Sequence, residues 1–363
     1  MVLALIVPAF CAGAARAAAR VAGAPAGPAA GTAPVPAAFE GTGLWVREVA
    51  PGESAAQLAA DAAAAGARAL YVKAGDGSTE EPQFTQALAG ELRQAGLTVC
   101  AWTFMYGSSP VAEADVAAAA ARAGAQCLII DAEGASAPRN LYGAAQLFVR
   151  TLRAALPSSF PIALATQAEV GAHPTFPYSV FLAPGAFNAV MPLIYWLDFG
   201  QSVEAAFAQT IAGQALYGRP ILPVGQLYGA PTDAELEEFR ALALSYGLRG
   251  WSFFDLDAAL PQQLSALAAA APLLPRRPLR PAALHPGADG DEIVQAQELL
   301  NAAGAHLPVG GYYGAQTARA VAVFQARRHL RATGLLGPAT WAALLRLEPR
   351  EPSWAAAPPL SAG

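Results

Sequence analysis

The chain alternates short apolar runs with helical segments throughout residues 41–271, and this alternation limits the folds open to it. The apolar runs predict strands, and they lie at 43–49, 69–75, 98–107, 126–134, 161–168, 188–196, 220–229 and 248–257. The segments between them are rich in Ala, Leu and Glu and predict helices at 54–65, 83–95, 112–123, 141–156, 203–216 and 233–245. The connection 169–187 is rich in Pro and aromatic residues and predicts an irregular loop.

Glycines mark the ends of several of these helices. Gly66, Gly96, Gly124 and Gly247 each follow a helical segment and precede a strand, which is typical of helix C-caps that lead into the next βα unit. Eight strand–helix units over about 230 residues match a (β/α)8 TIM barrel in count and length. A doubly wound sheet is the alternative, but eight units without a nucleotide-binding loop favour closure of the sheet.

The regions outside the alternation have different compositions. Residues 1–40 combine a short apolar run at 2–10 with an Ala/Gly/Pro-rich stretch, and predict a leader followed by a linker. No Lys or Arg precedes the apolar run, so the signal is atypical, but it predicts a protein that is secreted or associated with the cell wall. The apolar run is too short to span a bilayer, so no stable membrane span is predicted. Residues 272–286 predict a Pro-rich linker, 287–347 a small helical domain and 348–363 a disordered tail.

Charge and cysteine content narrow the function classes. The chain has 22 Lys and Arg against 27 Asp and Glu, a net charge of −5, which predicts no nucleic-acid partner. Of the 3 cysteines, Cys100 and Cys127 lie in neighbouring predicted strands, and we expect them to be small buried core residues rather than a disulfide. The 4 histidines show no metal-ligand spacing, so neither a metal site nor a cofactor is predicted. No patterned helix suggests a dimer seam, which predicts a monomer.

The fourth predicted strand ends in two acidic residues, Asp131 and Glu133. Side chains two residues apart on a strand point to the same face, with Cα atoms about 6–7 Å apart. Active sites of barrel enzymes lie at the carboxyl ends of the strands, so both carboxylates would reach one pocket. Paired carboxylates are the catalytic groups of glycoside hydrolysis, and Glu133 and Asp131 are therefore the predicted catalytic residues.

Other strand ends carry aromatic, amide and charged residues, a combination that suits a sugar site. Aromatic faces pack on sugar C–H surfaces, while amides and acids bind hydroxyl groups. The predicted substrate-binding residues are Arg47, Lys73, Trp102, Gln167, Tyr195, Gln226, Trp251 and Asp255.

The small helical region carries a specific motif. It begins Gly287-x-x-Gly290-Asp-Glu-Ile-Val294 and continues through Gly311-x-Tyr313-Gly314 to Thr340-Trp341. This pattern resembles the three-helix peptidoglycan-binding domain found on many cell-wall hydrolases, and the resemblance covers residues 284–347. It departs from the family at Gly310, where an acidic residue is often found. The resemblance implies peptidoglycan binding through the motif residues Tyr313, Thr317, Phe324, Gln325 and Trp341. A stabilising helical cap without a ligand is the alternative.

The D-x-E at the end of the fourth strand resembles the active-site strand of two barrel groups, the family 25 lysozymes and the family 18 chitinases and endo-acetylglucosaminidases. In both groups the Glu donates the proton and the Asp orients it or the acetamido group of the substrate. The resemblance implies these roles for Glu133 and Asp131, with Tyr195 or Gln226 hydrogen-bonding the acetamido group. The chain departs from both groups: strand one ends in Arg47 and Glu48 without the lysozyme Asp, and Ile129 stands where chitinases have a further Asp.

Three functions follow from these patterns. The first is an exported glycosidase acting on peptidoglycan or a related acetamido-sugar polymer. The second is a non-catalytic wall protein whose barrel binds glycan or protein, with Asp131 and Glu133 as a structural pair bonded to Lys73 or Arg47. The third is an amidase or peptidase acting on wall peptide, which would need metal ligands or a nucleophile that no motif supplies.

Overall fold

The computed structural model describes residues 34–133, 141–275 and 278–349. Its strands are β1 Gly41–Val46, β2 Ala69–Asp76, β3 Thr79–Glu80, β4 Thr98–Phe104, β5 Cys127–Asp131, β6 Ile162–Gln167, β7 Ala189–Leu193, β8 Val224–Gln226 and β9 Gly250–Phe254. Its helices are α1 Ala55–Ala64, α2 Gln86–Gln94, α3 Pro110–Arg122, α4 Leu141–Ala155, α5 Tyr178–Phe181, α6 Val203–Gln214, α7 Asp233–Ser245, α8 Pro261–Ala268, α9 Asp291–Ala302, α10 Ala315–Arg327 and α11 Pro338–Leu344. The predicted leader and most of the predicted tail lie outside the described residues.

The sheet closes on itself as a barrel. Its strand order is β1-β9-β8-β7-β6-β5-β4-β2-β3, and β1 also pairs with β2. The β1–β2 and β1–β9 pairs are both parallel, whereas β3 is antiparallel to β2 and forms a short hairpin at the edge of the barrel. Eight parallel strands with intervening helices confirm the predicted (β/α)8 barrel.

Local signals in the sequence explain where the helices begin and end. Ser54 accepts a hydrogen bond from the backbone of Gln57 at the start of α1, and Thr232 does the same with Glu235 at α7. Such caps satisfy backbone donors that the first helical turn leaves free. The glycines after these helices adopt left-handed backbone conformations, with φ of 62° at Gly66 and 75° at Gly247, as the C-cap pattern predicts.

The interior of the barrel is filled by large aromatic residues on one side. Trp45 of β1 contacts Tyr71 of β2 and Trp102 of β4, with ring centroids 5.6 Å apart in each pair. A Cβ atom at Gly43 would lie 2.5 Å from the ring of Tyr71, so only glycine leaves room for that ring. Small residues fill the facing strands, namely Ala163, Ala165 and Ala189.

Two expectations are corrected inside the barrel. Cys100 of β4 and Cys127 of β5 are register partners and form a disulfide, with Cα atoms 4.6 Å apart. Adjacent inward-facing positions on parallel strands bring the two thiols together, which cysteine counting could not reveal. The predicted linker also contributes to the core: residues Ala37–Phe39 form a short 3-10 helix, and Phe39 is buried among residues of the barrel interior.

The C-terminal helices α9, α10 and α11 pack around a core that includes Leu300, Val321 and Trp341 and is continuous with the outer core of the barrel. The backbone of this unit begins before the predicted boundary at residue 287, because Leu284 and Leu336 exchange backbone hydrogen bonds of 3.0 and 2.9 Å. The fold is therefore a barrel followed by a small helical unit.

The helical unit is held against the barrel through one buried carboxylate. Asp291, the first residue of α9, accepts hydrogen bonds from Tyr142 Oη at 2.5 Å, Ser179 N at 2.8 Å, Ser179 Oγ at 2.6 Å and Tyr217 Oη at 2.8 Å. Its backbone N–H donates to the Pro174 carbonyl at 2.7 Å. These partners come from α4, α5, the loop before α5 and the 3-10 turn Ala215–Tyr217 after α6, so α9 is fixed to the helical shell of the barrel.

Within the described ranges, no helix is long and apolar enough to cross a membrane.

Candidate active site and wall-binding unit

The parallel strands bring the predicted catalytic and binding residues to one end of the barrel. Asp131 is the last residue of β5, Gln167 is the last residue of β6, and Gln226 is the last residue of β8. Glu133 follows two residues after Asp131. Because parallel strands end at the same rim, residues distant in the chain share the carboxyl-end mouth, where barrel active sites are built.

Asp131 and Glu133 occupy different environments. Asp131 is only 7% exposed, and its Oδ1 atom is buried without a hydrogen-bond partner among the described residues. Glu133 is half-buried and accepts a 2.9 Å hydrogen bond from Gln167 Nε2. A deeply buried carboxyl group and a tethered, more accessible one therefore lie side by side.

Burial favours the protonated form of both acids. It raises the pKa of Asp131 well above its usual range, and the charge of Glu133 raises it further, while Lys73 opposes the shift. Burial also raises the pKa of Glu133, and the hydrogen bond from Gln167 opposes this. A carboxyl group with a raised pKa can hold a proton near neutral pH and donate it, as a general acid requires.

The cations at the rim pair with other acids. Lys73 Nζ lies 2.7 Å from Asp76 and 3.6 Å from Glu81. Arg47 Nε lies 3.0 Å from Asp255. Among the described residues, neither Asp131 nor Glu133 forms a salt bridge. The structure therefore does not contain the structural ion pair with Lys73 or Arg47 that was the alternative reading of the D-x-E.

An aromatic wall stands beside the two acids. The ring of Tyr195 lies 5.4 Å from Tyr228 and 6.2 Å from Phe254. Burial raises the pKa of the Tyr195 phenol well above its usual range, and the charges of Asp131 and Glu133 add to the shift. The phenol therefore remains a neutral hydrogen-bond donor close to the carboxyl pair. The predicted site did not include Phe254, although its position at the end of β9 places it at the same rim as the other predicted residues.

A cavity of about 350 Å³ opens between the segments that follow β6 and β7. Gln167 and Tyr195 line it, and so do His173, Phe199 and Gln201. Phe199 is 66% exposed, which is unusual for a large apolar ring and leaves a face for a ligand to pack on. The last three residues lie in loops beyond the strand ends, and the sequence analysis, which considered strand ends, did not predict them.

Trp102 and Asp255 lie at the mouth but are held by protein partners. The Trp102 ring is buried inside the barrel, and its Nε1 donates to the Val46 carbonyl at 3.1 Å. Lys73 Nζ lies 5.4 Å from the centre of that ring, a cation–π contact. Asp255 accepts from Arg47, but its Oδ1 is buried without a partner among the described residues. One oxygen of Asp255 thus remains for a ligand.

Two predicted substrate-binding residues have side chains that are engaged within the protein, and their binding role stays a prediction. Gln226 is fully buried, accepts from the Leu197 backbone N–H at 2.9 Å and donates to the Tyr228 carbonyl, so it braces two loops. Trp251 packs against the outer layer of the core, because it alternates with the inward-facing Ser252 of β9. A shift of one residue along a strand moves a side chain to the opposite face of the sheet. The sequence did not reveal which residues of this strand face the barrel interior.

The five motif residues of the C-terminal unit have side chains that build the core of the unit. They are buried, namely Tyr313, Thr317, Phe324, Gln325 and Trp341. The Tyr313 hydroxyl donates to the Gly334 carbonyl at 2.7 Å, which ties two loops together. The motif by which this unit is recognised therefore consists of residues that stabilise its core, and a ligand must be bound by other side chains.

Two glutamines perform equivalent structural roles in this unit. Gln297 accepts from two successive backbone N–H groups, those of Gly310 and Gly311, and donates to Thr317. Gln325 repeats the arrangement in the next loop, where it accepts from Thr333 N and Gly334 N and donates to Thr340 Oγ1. Each buried amide therefore fixes one loop against the helix that follows it.

No group of three or more His, Cys, Asp or Glu residues in the described segments has an arrangement suited to a metal ion.

The comparisons with known proteins bear on the two units differently. Residues 289–344 match the family model of a peptidoglycan-binding domain. No curated protein matches the chain. Among solved structures, the chain is similar to the spore cortex-lytic enzyme SleL of Bacillus cereus at 12% identity, over 66% of this chain and 76% of that one, with a TM-score of 0.49. It is similar to a chitinase of Chromobacterium violaceum at 12% identity, over 63% of this chain and 98% of that one, with a TM-score of 0.49. A peptidoglycan-binding protein of Clostridioides difficile is 35% identical over 18% of this chain and 41% of that one, with a TM-score of 0.18.

Residues 289–344 therefore form a peptidoglycan-binding domain. It follows a (β/α)8 barrel that is identified by its own strand pairing.

Proposed function

We propose that the barrel is a glycoside hydrolase that cleaves an N-acetylhexosamine-containing glycan of the cell wall, and that the C-terminal domain holds it on that polymer. The observation that carries the proposal is the pair formed by Asp131 and Glu133 at the carboxyl end of the barrel. Burial raises the pKa of both groups, and Gln167 orients Glu133. Secretion, which delivers the protein to the wall, is part of the proposal and follows from its wall-binding domain.

In this mechanism Glu133 donates its proton to the glycosidic oxygen as the bond to the leaving sugar breaks. The carbonyl oxygen of the 2-acetamido group of the substrate then bonds to the anomeric carbon. Asp131 accepts a hydrogen bond from the N–H of that acetamido group, and the Tyr195 hydroxyl donates a hydrogen bond to the acetamido oxygen. A water molecule finally attacks the anomeric carbon, whose bond to the acetamido oxygen breaks, and the Glu133 carboxylate takes up the proton of that water and becomes the protonated acid again.

The environment of the pair supports these roles. Tyr195, Tyr228 and Phe254 form an apolar wall that keeps Glu133 partly desolvated. The cavity of about 350 Å³ is lined by Gln167, the residue that hydrogen-bonds Glu133, and by Tyr195, and it offers space for sugar units. Exposed Phe199 provides an aromatic face at its edge.

The test is release of new reducing ends from insoluble peptidoglycan by the full chain. Glu133→Gln should lower turnover by at least about a hundredfold, because general acid catalysis contributes about 10²- to 10⁴-fold. Glu91→Gln on the exposed face of α2 is the matched control and should retain full activity. Wild-type turnover by Glu133→Gln would overturn the assignment.

A second candidate is a non-catalytic wall protein with a glycan-binding barrel. It is favoured by Ile129, which stands where the chitinase group has a further Asp, and by the end of strand one, which lacks the Asp of the lysozyme group. Sedimentation with peptidoglycan but no reducing ends from this polymer or from soluble chitooligosaccharides would support this candidate over the first.

A further inference from the structure

The peptidoglycan-binding domain carries a groove whose ligand the family match does not define. It has a volume of about 460 Å³ and lies between the end of α9, the loop that follows it and one face of α10. Its lining includes Leu300, Gln316, Arg319, Val323, Phe324 and Arg327. At 100° per residue, the six lining positions from α10, which include Ala320, fall within one 140° sector of the helix.

The groove faces away from the barrel. Asp291, which docks α9 on the barrel, and Leu300, which lines the groove, are nine positions apart in the helix. Nine residues at 100° each make two and a half turns, so the two side chains leave α9 on opposite sides. The contact that fixes the domain to the barrel therefore leaves the groove open to a polymer.

The described residues that line the groove include two arginines and no acid. Arg319 and Arg327 are both exposed, and neither forms a salt bridge or hydrogen bond with any residue that the structure describes. The acids of α9 lie elsewhere: Asp291 is buried against the barrel, and burial of Glu298 raises the pKa of its carboxyl group to about 8, with a further contribution from the charge of Asp291. Two free guanidinium groups above an apolar floor favour an anionic ligand with some apolar surface.

The spacing of the two arginines fits a short peptide. They are eight residues apart, which places them about 12 Å apart along the helix axis. Three or four residues of extended peptide span about the same distance. A glycan fits less well, because sugars pack on exposed Phe, Tyr or Trp faces, and Phe324, the one such residue among the described residues that line the groove, is only 4% exposed.

We propose that this groove binds the peptide stem of peptidoglycan, and that Arg319 and Arg327 pair with two of its carboxylates. The inference rests on the proposed attachment of the protein to the wall, but it does not depend on the chemistry of the barrel. It assigns the glycan to the barrel and the peptide to the C-terminal domain, so that one molecule contacts both parts of the same polymer.

The test is titration calorimetry of the full chain with a synthetic stem tetrapeptide that carries free carboxylates. The double variant Arg319→Gln/Arg327→Gln should bind it at least about tenfold more weakly, since it loses two charge-assisted hydrogen bonds to the carboxylates. Val323→Glu, which places an anion in the groove without removing either arginine, should weaken binding similarly. Arg331→Gln removes an exposed charge of the same domain outside the groove lining and should bind as the wild type does.

Two results would overturn the proposal. One is equal affinity of the wild type and the double variant for the tetrapeptide. The other is binding of peptide-free glycan strands by the C-terminal domain, with the same affinity for the wild type and for the double variant. Release of reducing ends from soluble chitooligosaccharides is measured in parallel, so that a failure of the proposed glycosidase activity is recognised separately from a failure of the groove.

Discussion

Gln167 donates its side-chain N–H to Glu133 at 2.9 Å, which joins the end of β6 to the segment just beyond β5. The bond holds the proposed proton donor at the mouth of the barrel and stabilises its charged form. The two residues are neighbours because β5 and β6 are adjacent parallel strands.

Replacing Gln167 should change the pH dependence of catalysis. The hydrogen bond from Gln167 lowers the pKa of Glu133, so Gln167→Leu should raise this pKa further and keep the acid protonated to higher pH. We expect the alkaline limb of kcat/KM to move to higher pH and kcat to fall about tenfold, because the acid loses its orientation. The measurement is a pH–rate profile, with the exposed Gln94→Leu as control. An unmoved alkaline limb would show that Gln167 does not set the pKa of the catalytic acid.

Asp131 should lower stability at alkaline pH while it serves catalysis. Its pKa is raised by burial, so the folded chain holds the proton to higher pH than the unfolded chain. The folded state then binds more protons above the unfolded pKa of about 3.9, and stability falls as pH rises. Asp131→Asn cannot ionise, so it should have a higher Tm than the wild type at pH 8 and a difference near zero at pH 4. Its kcat should fall by about a hundredfold or more. Thermal unfolding at the two pH values checks the first expectation, and a Tm at pH 8 below that of the wild type would contradict it.

The attachment of the C-terminal domain to the barrel should depend on Asp291. Its carboxylate accepts hydrogen bonds from Tyr142, Ser179 and Tyr217, all buried at the contact. Asp291→Ala leaves these donors unsatisfied, which costs about 1–3 kcal/mol for each buried group. We expect urea unfolding to show a separate early transition of the C-terminal domain. Asp289→Ala, two residues away, is the control, and a single transition at the wild-type midpoint would argue against the role of Asp291.

The same contact should weaken as pH rises. Burial raises the pKa of Asp291 to about 6, that of Glu292 to about 7 and that of Glu298 to about 8. The pKa of each carboxyl group in the docked form lies above the ordinary carboxyl pKa, so the docked form binds more protons. The contact is therefore most stable at pH values below the ordinary carboxyl pKa. Stability of the contact should therefore fall between pH 5 and pH 8. Limited proteolysis between the two units at both pH values measures this, and equal cleavage rates would contradict it.

Gln325 should be essential for the fold of the wall-binding domain. Its buried amide bonds both the Thr333–Gly334 backbone and Thr340. Gln325→Leu leaves the two backbone donors unsatisfied and should destabilise the domain by about 3 kcal/mol or more. Sedimentation with peptidoglycan should be lost, while cleavage of a soluble chitooligosaccharide continues. Gln262→Leu on exposed α8 is the control, and retained sedimentation by Gln325→Leu would contradict the expectation.

Much of the architecture could be predicted from local patterns. Caps such as Ser54 and glycines such as Gly66 act within a few residues of where they stand, so the sequence alone places most helix ends. The position of Asp131 and Glu133 at a strand end was predictable for the same reason. The motif of the C-terminal unit was recognisable because a small core with two buried glutamines tolerates few alternatives.

What the sequence by itself determined is therefore the barrel, the helical unit behind it and the strand end that carries the acids, because these depend on short-range periodicity and capping. The tertiary structure alone decided which side chains face a ligand. Trp251 faces outward, the motif residue Trp341 is a core residue, and Lys73 pairs with Asp76 rather than with Glu133. It also decided that Asp291 joins the two units. These outcomes depend on strand phase, burial and long-range contacts, in which residues far apart in the chain compete for the same partner.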